Sequence, residues 1–298
     1  MITIVTPTYN RAYILSKAYQ SLKKQTLLDF EWIIIDDGST DETETIVKQW
    51  LKEEHNFSII YEKQKNGGKH RAVNRAVSLA NYDYLLILDS DDQLTENAVE
   101  KVHEWILDIS GLEGFAGVAG LKADGNTTIG GSPQSYFIDA TNLERKKYNL
   151  LGDKAEIYKT DVLKQYPFPE FENENFIRES AVWDRIAKDG LKIRWYNEVI
   201  YICEYKEDGL TKQTNENTYA NNFLGFIYCS KLFLETHSFF PSLNKCGEFY
   251  YVSKLKGLKI RESASLLNIN QIYFILGIGY FRIRQVMKTK LKKRTKGN

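Results

Sequence analysis

Apolar positions along the first 110 residues alternate between two periods. Ile2 to Thr6 and Phe30 to Ile35 are short runs of the kind that become strands covered on both faces, and between them Ile14, Leu15, Ala18, Tyr19 and Leu22 recur at helical spacing. This predicts a βαβ unit, with Pro7 expected to stop the first strand because it has no N–H to give a ladder. Thr43 to Leu51 predicts a second helix, Phe57 to Tyr61 a third strand, and His70 to Ala80 a third helix entered through the turn Asn66-Gly67-Gly68-Lys69. That turn lacks the G-K-[ST] ending of a P-loop. Tyr84 to Leu88 is an unbroken apolar run, and it ends abruptly in Asp89-Ser90-Asp91-Asp92. Alternating strands and helices of this kind define an α/β domain built on a parallel sheet.

The acidic ending is the chemical feature of this pattern. At the carboxyl end of a buried parallel strand it falls where open α/β sheets bind ligands. Carboxylates this close repel one another unless something positive sits among them, and hard oxygen ligands suit Mg²⁺ or Mn²⁺. A metal-assisted reaction on a phosphate-bearing substrate is one reading. A solvated turn with Asp92 or Thr95 as a helix N-cap is the other, and the stretch alone does not separate them. Asp36-Asp37-Gly38-Ser39-Thr40-Asp41 repeats the feature after the second strand, where Ser39, Thr40 or Asp41 is expected to cap the next helix.

Beyond Asp92 the alternation loosens. Ala98 to Ile109 reads as a helix, Phe115 to Ala123 and Thr127 to Ile129 as a hairpin about Asp124-Gly125-Asn126, and Leu191 to Tyr201 as a closing strand pair. From Tyr219 onward the spacing is helical and aromatic. Ile269 to Phe281 is strongly apolar but well short of the about 20 residues of a membrane span; it suits an interfacial helix or a docked core helix.

Charge sharpens that last point. The net charge of +1 hides eight Lys/Arg and no Asp/Glu after Glu262, which leaves 32 basic against 39 acidic residues before it, or about −7. No nucleic-acid motif accompanies the basic tail, so nucleic acid is not an expected partner. An anionic membrane surface is. Three cysteines without C-x-x-C spacing exclude a disulfide framework, and the first residues lack the features of a secretory signal; both favour a cytoplasmic protein. The four histidines show no metal-ligand spacing and read as ordinary surface or helix residues.

Taken in order, Thr6-Pro7-Thr8-Tyr9-Asn10-Arg11, the D-D-G-S turn at Asp36, Asn66-x-Gly68 with Asn74, and Leu88-Asp89-Ser90-Asp91-Asp92 resemble the family 2 glycosyltransferases. The resemblance implies a GT-A fold, a Rossmann-like nucleotide-diphospho-sugar transferase domain, over residues 1–215, with a donor half at 1–110 and an acceptor half at 111–215. A helical C-terminal extension would occupy 216–298. It further implies a nucleotide pocket from Pro7, Tyr9, Arg11, Asp37, Lys69, Asp89 and Ser90. Asp37 would accept from a uracil ring, Asp89 would face the ribose, and Asp91 would bind Mn²⁺ or Mg²⁺ against the diphosphate. Many members carry an Arg before the position of Asn74; here Val73 stands there, and Arg71 and Lys69 precede it.

The same resemblance, anchored on Trp183-x-Arg185, places the general base at Glu179, with Asp184 as its competitor. A helix beginning near Ser180 would turn Asp184 away from Glu179's face. The activity implied is inverting transfer of a sugar, expected to be UDP-linked, to a hydroxyl of a glycan or lipid-linked glycan in bacterial surface polysaccharide synthesis, with the enzyme peripheral on the inner face of the membrane. The alternatives are nucleotidyl transfer to a sugar phosphate, against which stands the lack of an N-terminal Gly-rich phosphate loop, and a catalytically silent glycan-binding partner. A loop at 204–211 is expected at the edge of the active site.

Overall fold

The computed structural model describes residues 1–203 and 214–295, with side chains to Lys290. The expected loop at 204–211 lies outside the described residues. Two compact units divide the chain: residues 1–170 with those described from 185 onward to 203, and residues 171–184 with 214–295.

The first unit is built on one mixed sheet. Strands β1 (Ile2–Thr8), β2 (Phe30–Asp36), β3 (Ser58–Lys63) and β4 (Tyr84–Ile87) are parallel and lie in the order β3-β2-β1-β4. The sheet continues through β9 (Lys154–Lys159), antiparallel to both β4 and β6 (Phe115–Asp124), to β10 (Lys192–Cys203), parallel to β6. Two short strands, β5 (Gln93–Leu94) and β8 (Phe137–Ala140), pair antiparallel with β10, and β7 (Thr127–Thr128) closes the expected hairpin on β6.

Right-handed crossovers assign the helices to faces. The steps β1 to β2 and β2 to β3 run one way along the sheet, so α1 (Ser16–Lys23) and α2 (Thr43–Trp50) share a face; β3 to β4 runs back, which puts α3 (Lys69–Leu79) on the other. On the first face Tyr19 stacks on Trp50 at 4.2 Å over Ile2, Ile4, Trp32 and Ile34. α4 (Ala98–Asp108) extends this core through Trp105, stacked on Tyr196 at 4.4 Å. On the second face α3 buries Ala72, Val73 and Ala76. Burial on both faces is why β1 and β2 read as continuous apolar runs rather than as alternation. The short α5 (Thr160–Gln165) follows β9, and α6 (Ser180–Lys188) contributes residues through Asp184 to the second unit and the remainder to the first.

Two local expectations are corrected. Pro7 does not end β1: the strand continues to Thr8, with Pro7 opposite Ile35. The Leu88 N–H donates to the Val5 carbonyl and the Asp37 N–H to the Thr8 carbonyl, so odd residues of β1 face β4 and even residues face β2. The missing N–H of Pro7 therefore points to the side on which β4 pairing has already ended at Val5, and no ladder bond is lost. The stretch Leu191 to Tyr201, expected as a strand pair, is instead one strand from Lys192, β10, which pairs with β6 along its length through three register shifts and with β8 and then β5 on its other edge.

The second unit is helical: α7 (Glu216–Asn221), α8 (Phe223–Thr236), α9 (Phe239–Leu255), α10 (Ile260–Leu266) and α11 (Gln271–Thr295). Phe226 stacks on Phe249 at 5.4 Å, and Cys246, Val252, Ala264, Phe274 and Ile278 complete the core. Segment 171–184, expected within the catalytic domain, joins these helices because it satisfies their open backbone groups. The Glu174 carboxylate accepts the Leu224 and Gly225 N–H groups at 2.6 and 2.8 Å, placing negative charge at the N-terminus of α8. Asn222 Oδ1 in turn accepts the N–H groups of Asn175 and Phe176.

The apolar run Ile269 to Phe281 continues as helix to Thr295 and docks one face on α9. A Cβ added at Gly277 would stand 2.5 Å from Cys246 Cβ, and one at Gly247 2.1 Å from Phe281 Cβ, so two glycines set the close approach of these helices. No single described helix is long and apolar enough to cross a membrane.

Candidate functional site

The carboxyl ends of β1, β2 and β4 converge, and side chains lace the loops that leave them. The Asn10 backbone, at φ 53°, donates its N–H to Ser39 Oγ, and Asn10 Oδ1 accepts the Thr40 N–H at 2.8 Å. The N-cap of α2 is Glu42, without a side-chain cap, rather than Ser39, Thr40 or Asp41; Asp41, one residue earlier, accepts the Thr43 N–H on Oδ1 at 3.1 Å and the Ala12 N–H on its other oxygen, binding the first loop. Asp36 is fully buried and accepts from the Ser39 N–H at 2.7 Å and the Tyr61 hydroxyl at 2.8 Å.

Asp37, assigned by resemblance to the nucleotide base, has a dense set of partners in its own chain. Oδ1 accepts from Gln64 Nε2 at 2.7 Å and the Gly67 N–H at 2.9 Å; Oδ2 accepts from Asn66 Nδ2 at 3.1 Å and the Gly68 N–H at 2.7 Å. A carboxylate offers about four lone-pair directions, and these four donors occupy them. The side chain thereby fastens the end of β2 to the turn that enters α3. Backbone conformation is part of the fastening: Gly68 has φ 96°, and Gly38 has φ 86° with the space of a Cβ only 2.9 Å from the Asn66 nitrogen.

α3 then projects Lys69 across to the acidic turn, where its Nζ lies 2.6 Å from Asp89 Oδ1. Arg71, the other cation considered for the donor, pairs with Glu170 at 2.8 Å. Asn74 holds the stretch Pro167-Phe168-Pro169 before Glu170: Nδ2 donates to the Phe168 carbonyl at 2.9 Å and Oδ1 accepts the Phe168 N–H at 2.9 Å. Val73 is buried under the sheet. Lys69 is thus the α3 cation that the fold delivers to the carboxylates.

Behind the acidic turn lies a support that the sequence reading missed. Tyr201 on β10 is fully buried, and its hydroxyl accepts the Asp89 N–H at 2.9 Å. Lys122, its neighbour on β6, places Nζ 3.9 Å from the Tyr201 ring centroid. The signal was a lone charge inside the apolar run Phe115 to Ala123, since a lysine enters such a strand only where a buried anion meets it. Burial disfavours the Lys122 cation, yet Asp89, Cys203 and Asp92 hold its pKa above the ordinary value.

The carboxylates diverge accordingly. Burial opposes ionisation of Asp89, but Lys69, Lys122 and Arg11 together hold its carboxyl below the usual range. Burial and then the charge on Asp89 raise Asp91, and they push Asp92 up to about 7. Negative charge is in surplus at Asp91 and Asp92, which is what a cation would relieve. Among the described residues no group of three or more His, Cys, Asp or Glu encloses a metal position. The donor set therefore fits a cation held by one or two carboxylates with phosphate completing its shell, and does not fit an all-protein cage.

Of the remaining residues expected at the nucleotide, Pro7 and Ser90 are buried, Tyr9 is 47 % exposed, and Arg11 is half-buried with its guanidinium on the Tyr13 hydroxyl. Glu179 and Asp184 belong to the second unit. Glu179 is exposed and immediately precedes α6, its carbonyl accepting the Val182 N–H at 2.9 Å. Asp184 is buried at 8 % exposure, near enough to Cys229 and His237 to bear on their pKa values.

A mixed α/β sheet whose parallel strands end in an aspartate-rich turn faced by a lysine has the architecture of the GT-A class, shared with the solved TarS structure. A family model described as Glycosyl transferase family 2 matches residues 3–158. The chain belongs to that family. It is 24 % identical over 238 residues to a Campylobacter jejuni GalNAc(5)-diNAcBac-PP-undecaprenol beta-1,3-glucosyltransferase, covering 78 % of this chain and 73 % of that one. It is 27 % identical over 210 residues to the putative teichuronic acid biosynthesis glycosyltransferase TuaG of Bacillus subtilis, covering 69 % and 79 %. Residues 1–349 of S. aureus TarS, crystallised in complex with UDP-GlcNAc, share the fold at a TM-score of 0.64 and 19 % identity, covering 94 % of this chain and 89 % of that one.

Two predictions arise from this geometry. Asp37→Asn puts an amide N–H₂ where an oxygen now receives two donors, so urea unfolding should show a loss of about 2 kcal/mol or more, accompanied by weaker UDP binding. The second concerns His70, a helix residue as expected but buried at 5 % exposure rather than at the surface, with no partner for Nδ1. Burial, followed by the charge of Arg71, lowers its pKa from about 6.5 to about 4. A depressed folded-state value means that the stabilisation is complete above pH 6.5 and is lost as pH falls toward 4, up to about 3 kcal/mol. Unfolding midpoints of wild type and His70→Gln across that window should converge on acidification; parallel curves would refute the assignment.

Proposed function

We propose that this family 2 glycosyltransferase moves a sugar, with inversion, from a UDP-linked donor to a hydroxyl of a lipid-linked glycan in bacterial surface polysaccharide synthesis. Its place of work is the cytoplasmic face of the membrane. The observation that carries this reading is the convergence of Asp89, Asp91, Lys69 and Arg11 at the carboxyl end of the central parallel strand. The names of relatives support the finer points: an undecaprenol diphosphate acceptor in one, teichuronic acid in another, and UDP-GlcNAc bound to the TarS structure.

In this reading Pro7, Tyr9, Arg11, Asp37, Lys69, Asp89 and Ser90 receive the nucleotide. Asp37 acts mainly by holding the Gly67-Gly68 turn in place, because its oxygens are already engaged. Asp89, fixed through its N–H on Tyr201 and its side chain on Lys69, presents to the donor a carboxylate whose pKa Lys69, Lys122 and Arg11 hold below the usual range. Asp91 would hold Mn²⁺ or Mg²⁺, which when bound offsets the negative charge of the departing diphosphate. Lys69 and Arg11 supply positive charge from the protein itself.

Glu179 takes the proton of the acceptor hydroxyl as that oxygen bonds to the anomeric carbon and the bond to the diphosphate breaks. One displacement of this kind inverts the stereocentre. Glu179 suits the role because it is exposed, whereas Asp184 is buried.

Asp91→Asn should abolish the metal-dependent part of UDP affinity, read by titration calorimetry with and without Mn²⁺; an unchanged metal effect would remove Asp91 from the metal. Glu179→Gln should leave UDP affinity intact and lower transfer by roughly 10² to 10⁴. Near-normal turnover by Glu179→Gln, with a folded but inactive Asp184→Asn, would move the base to Asp184.

A further inference from the structure

The helix α11 has two apolar faces, and the fold uses one. Phe274 and Ile278 are buried against the rest of the second unit. Counting about 100° per residue from Phe274, Ile272, Leu276 and Ile283 lie roughly 160–180° away, on the opposite side. Val286 and Met287 continue the stripe, and all five are more than half exposed. Phe239 and Phe240 at the start of α9, also more than half exposed, widen it through ring contacts with Tyr273 at 5.7 Å and Tyr280 at 5.9 Å. A helix apolar on both sides requires cover on both.

Charge identifies the cover. Arg282 and Arg284 border the stripe, each braced on α9, with Arg282 Nε on the Tyr251 hydroxyl and Arg284 on Asn244 Oδ1 at 3.0 Å. Lys288 and Lys290 follow, both exposed, and the sequence after Glu262 holds eight basic residues and no acidic one. A second copy of this chain would bring those positive charges against their like. An anionic bilayer meets both demands, with acyl chains for the stripe and phosphate headgroups for the cations. From Ile272 to Met287 the helix rises about 22 Å, short of the roughly 30 Å hydrocarbon core, and α9 occupies one face. An apolar stretch of that length with one face occupied suits a helix lying on a membrane rather than one crossing it.

We infer that α11 docks the protein on an anionic lipid surface through Ile272, Leu276, Ile283, Val286 and Met287, with Arg282, Arg284, Lys288 and Lys290 at the headgroups. The inference rests on the proposed lipid-linked acceptor and names the surface that would bring the enzyme to it.

The test uses the full chain and mixed phosphatidylglycerol/phosphatidylcholine vesicles, with pure phosphatidylcholine as control. Wild type should co-sediment with the mixed vesicles at low salt and partition at least about tenfold less onto the control or at high salt. Leu276→Glu/Ile283→Glu should lose binding to a similar degree, and Lys288→Glu/Lys290→Glu should lose mainly the salt-sensitive part. All four positions are exposed, so melting temperature and vesicle-free UDP-sugar hydrolysis should stay at wild-type levels. Undiminished vesicle binding by the apolar double variant overturns the inference. A wild-type dimer in solution that the same variant splits, without vesicle binding, overturns it in favour of self-association. Absence of UDP-sugar turnover in wild type would strike the transferase reading alone.

Discussion

The structure turns on how several carboxylates are kept together at the edge of a sheet. Asp36, Asp37, Asp89, Asp91 and Asp92 all sit where β2 and β4 end, in positions largely withdrawn from water. Each is accommodated differently. Asp36 accepts from the Ser39 N–H and Tyr61, and Asp37 is filled by Gln64, Asn66 and the Gly67 and Gly68 N–H groups, so both hold loops. Asp89 is neutralised by Lys69 and supported by Lys122. Asp91 and Asp92 are the two whose pKa values are raised, by burial and then by the charge on Asp89. A row of identical side chains thus becomes a graded set, and a cation at its Asp91 end would relieve the crowding of negative charge.

The grading depends on parts distant in sequence. Tyr201 and Lys122 come from the second half of the sheet, on β10 and β6, and they reach the turn only because β9 runs antiparallel between β4 and β6 and brings the later strands alongside. Lys69 arrives from the opposite face on α3, whose first turn is fixed by Asp37 through Gly67 and Gly68. The end of β2 and the cation beside Asp89 are therefore linked through the chain: Asp37 holds the turn from which the helix carrying Lys69 starts.

The helical unit is organised by a different constraint, the satisfaction of helix ends and the closeness of two helices. Glu174 caps α8 from 50 residues upstream of Leu224, and Gly247 and Gly277 let α9 and α11 meet nearly backbone to backbone. Such close packing consumes one side of α11 and leaves the other apolar side bare.

The sequence by itself determined the parallel α/β half. Its strands are buried on both faces, and a continuous apolar run broken by glycine and aspartate turns has few other solutions. It also determined where the acidic turns fall, since strand ends are marked by the same residues that carry the charge. What each carboxylate does was decided by tertiary structure. Nothing local distinguishes Asp37 from Asp91; the difference is four donors converging on one and burial beside Asp89 for the other. Lys122 showed only as a lone charge in an apolar run and Tyr201 not at all, because their partners lie across strand pairings that have no sequence period. The continuation of β1 through Pro7 depended on which neighbouring strand ended first. The run Ile269 to Phe281 was legible as a helix, but which of its faces is covered depends on two glycines on different helices meeting in space, a fact no single stretch of chain contains.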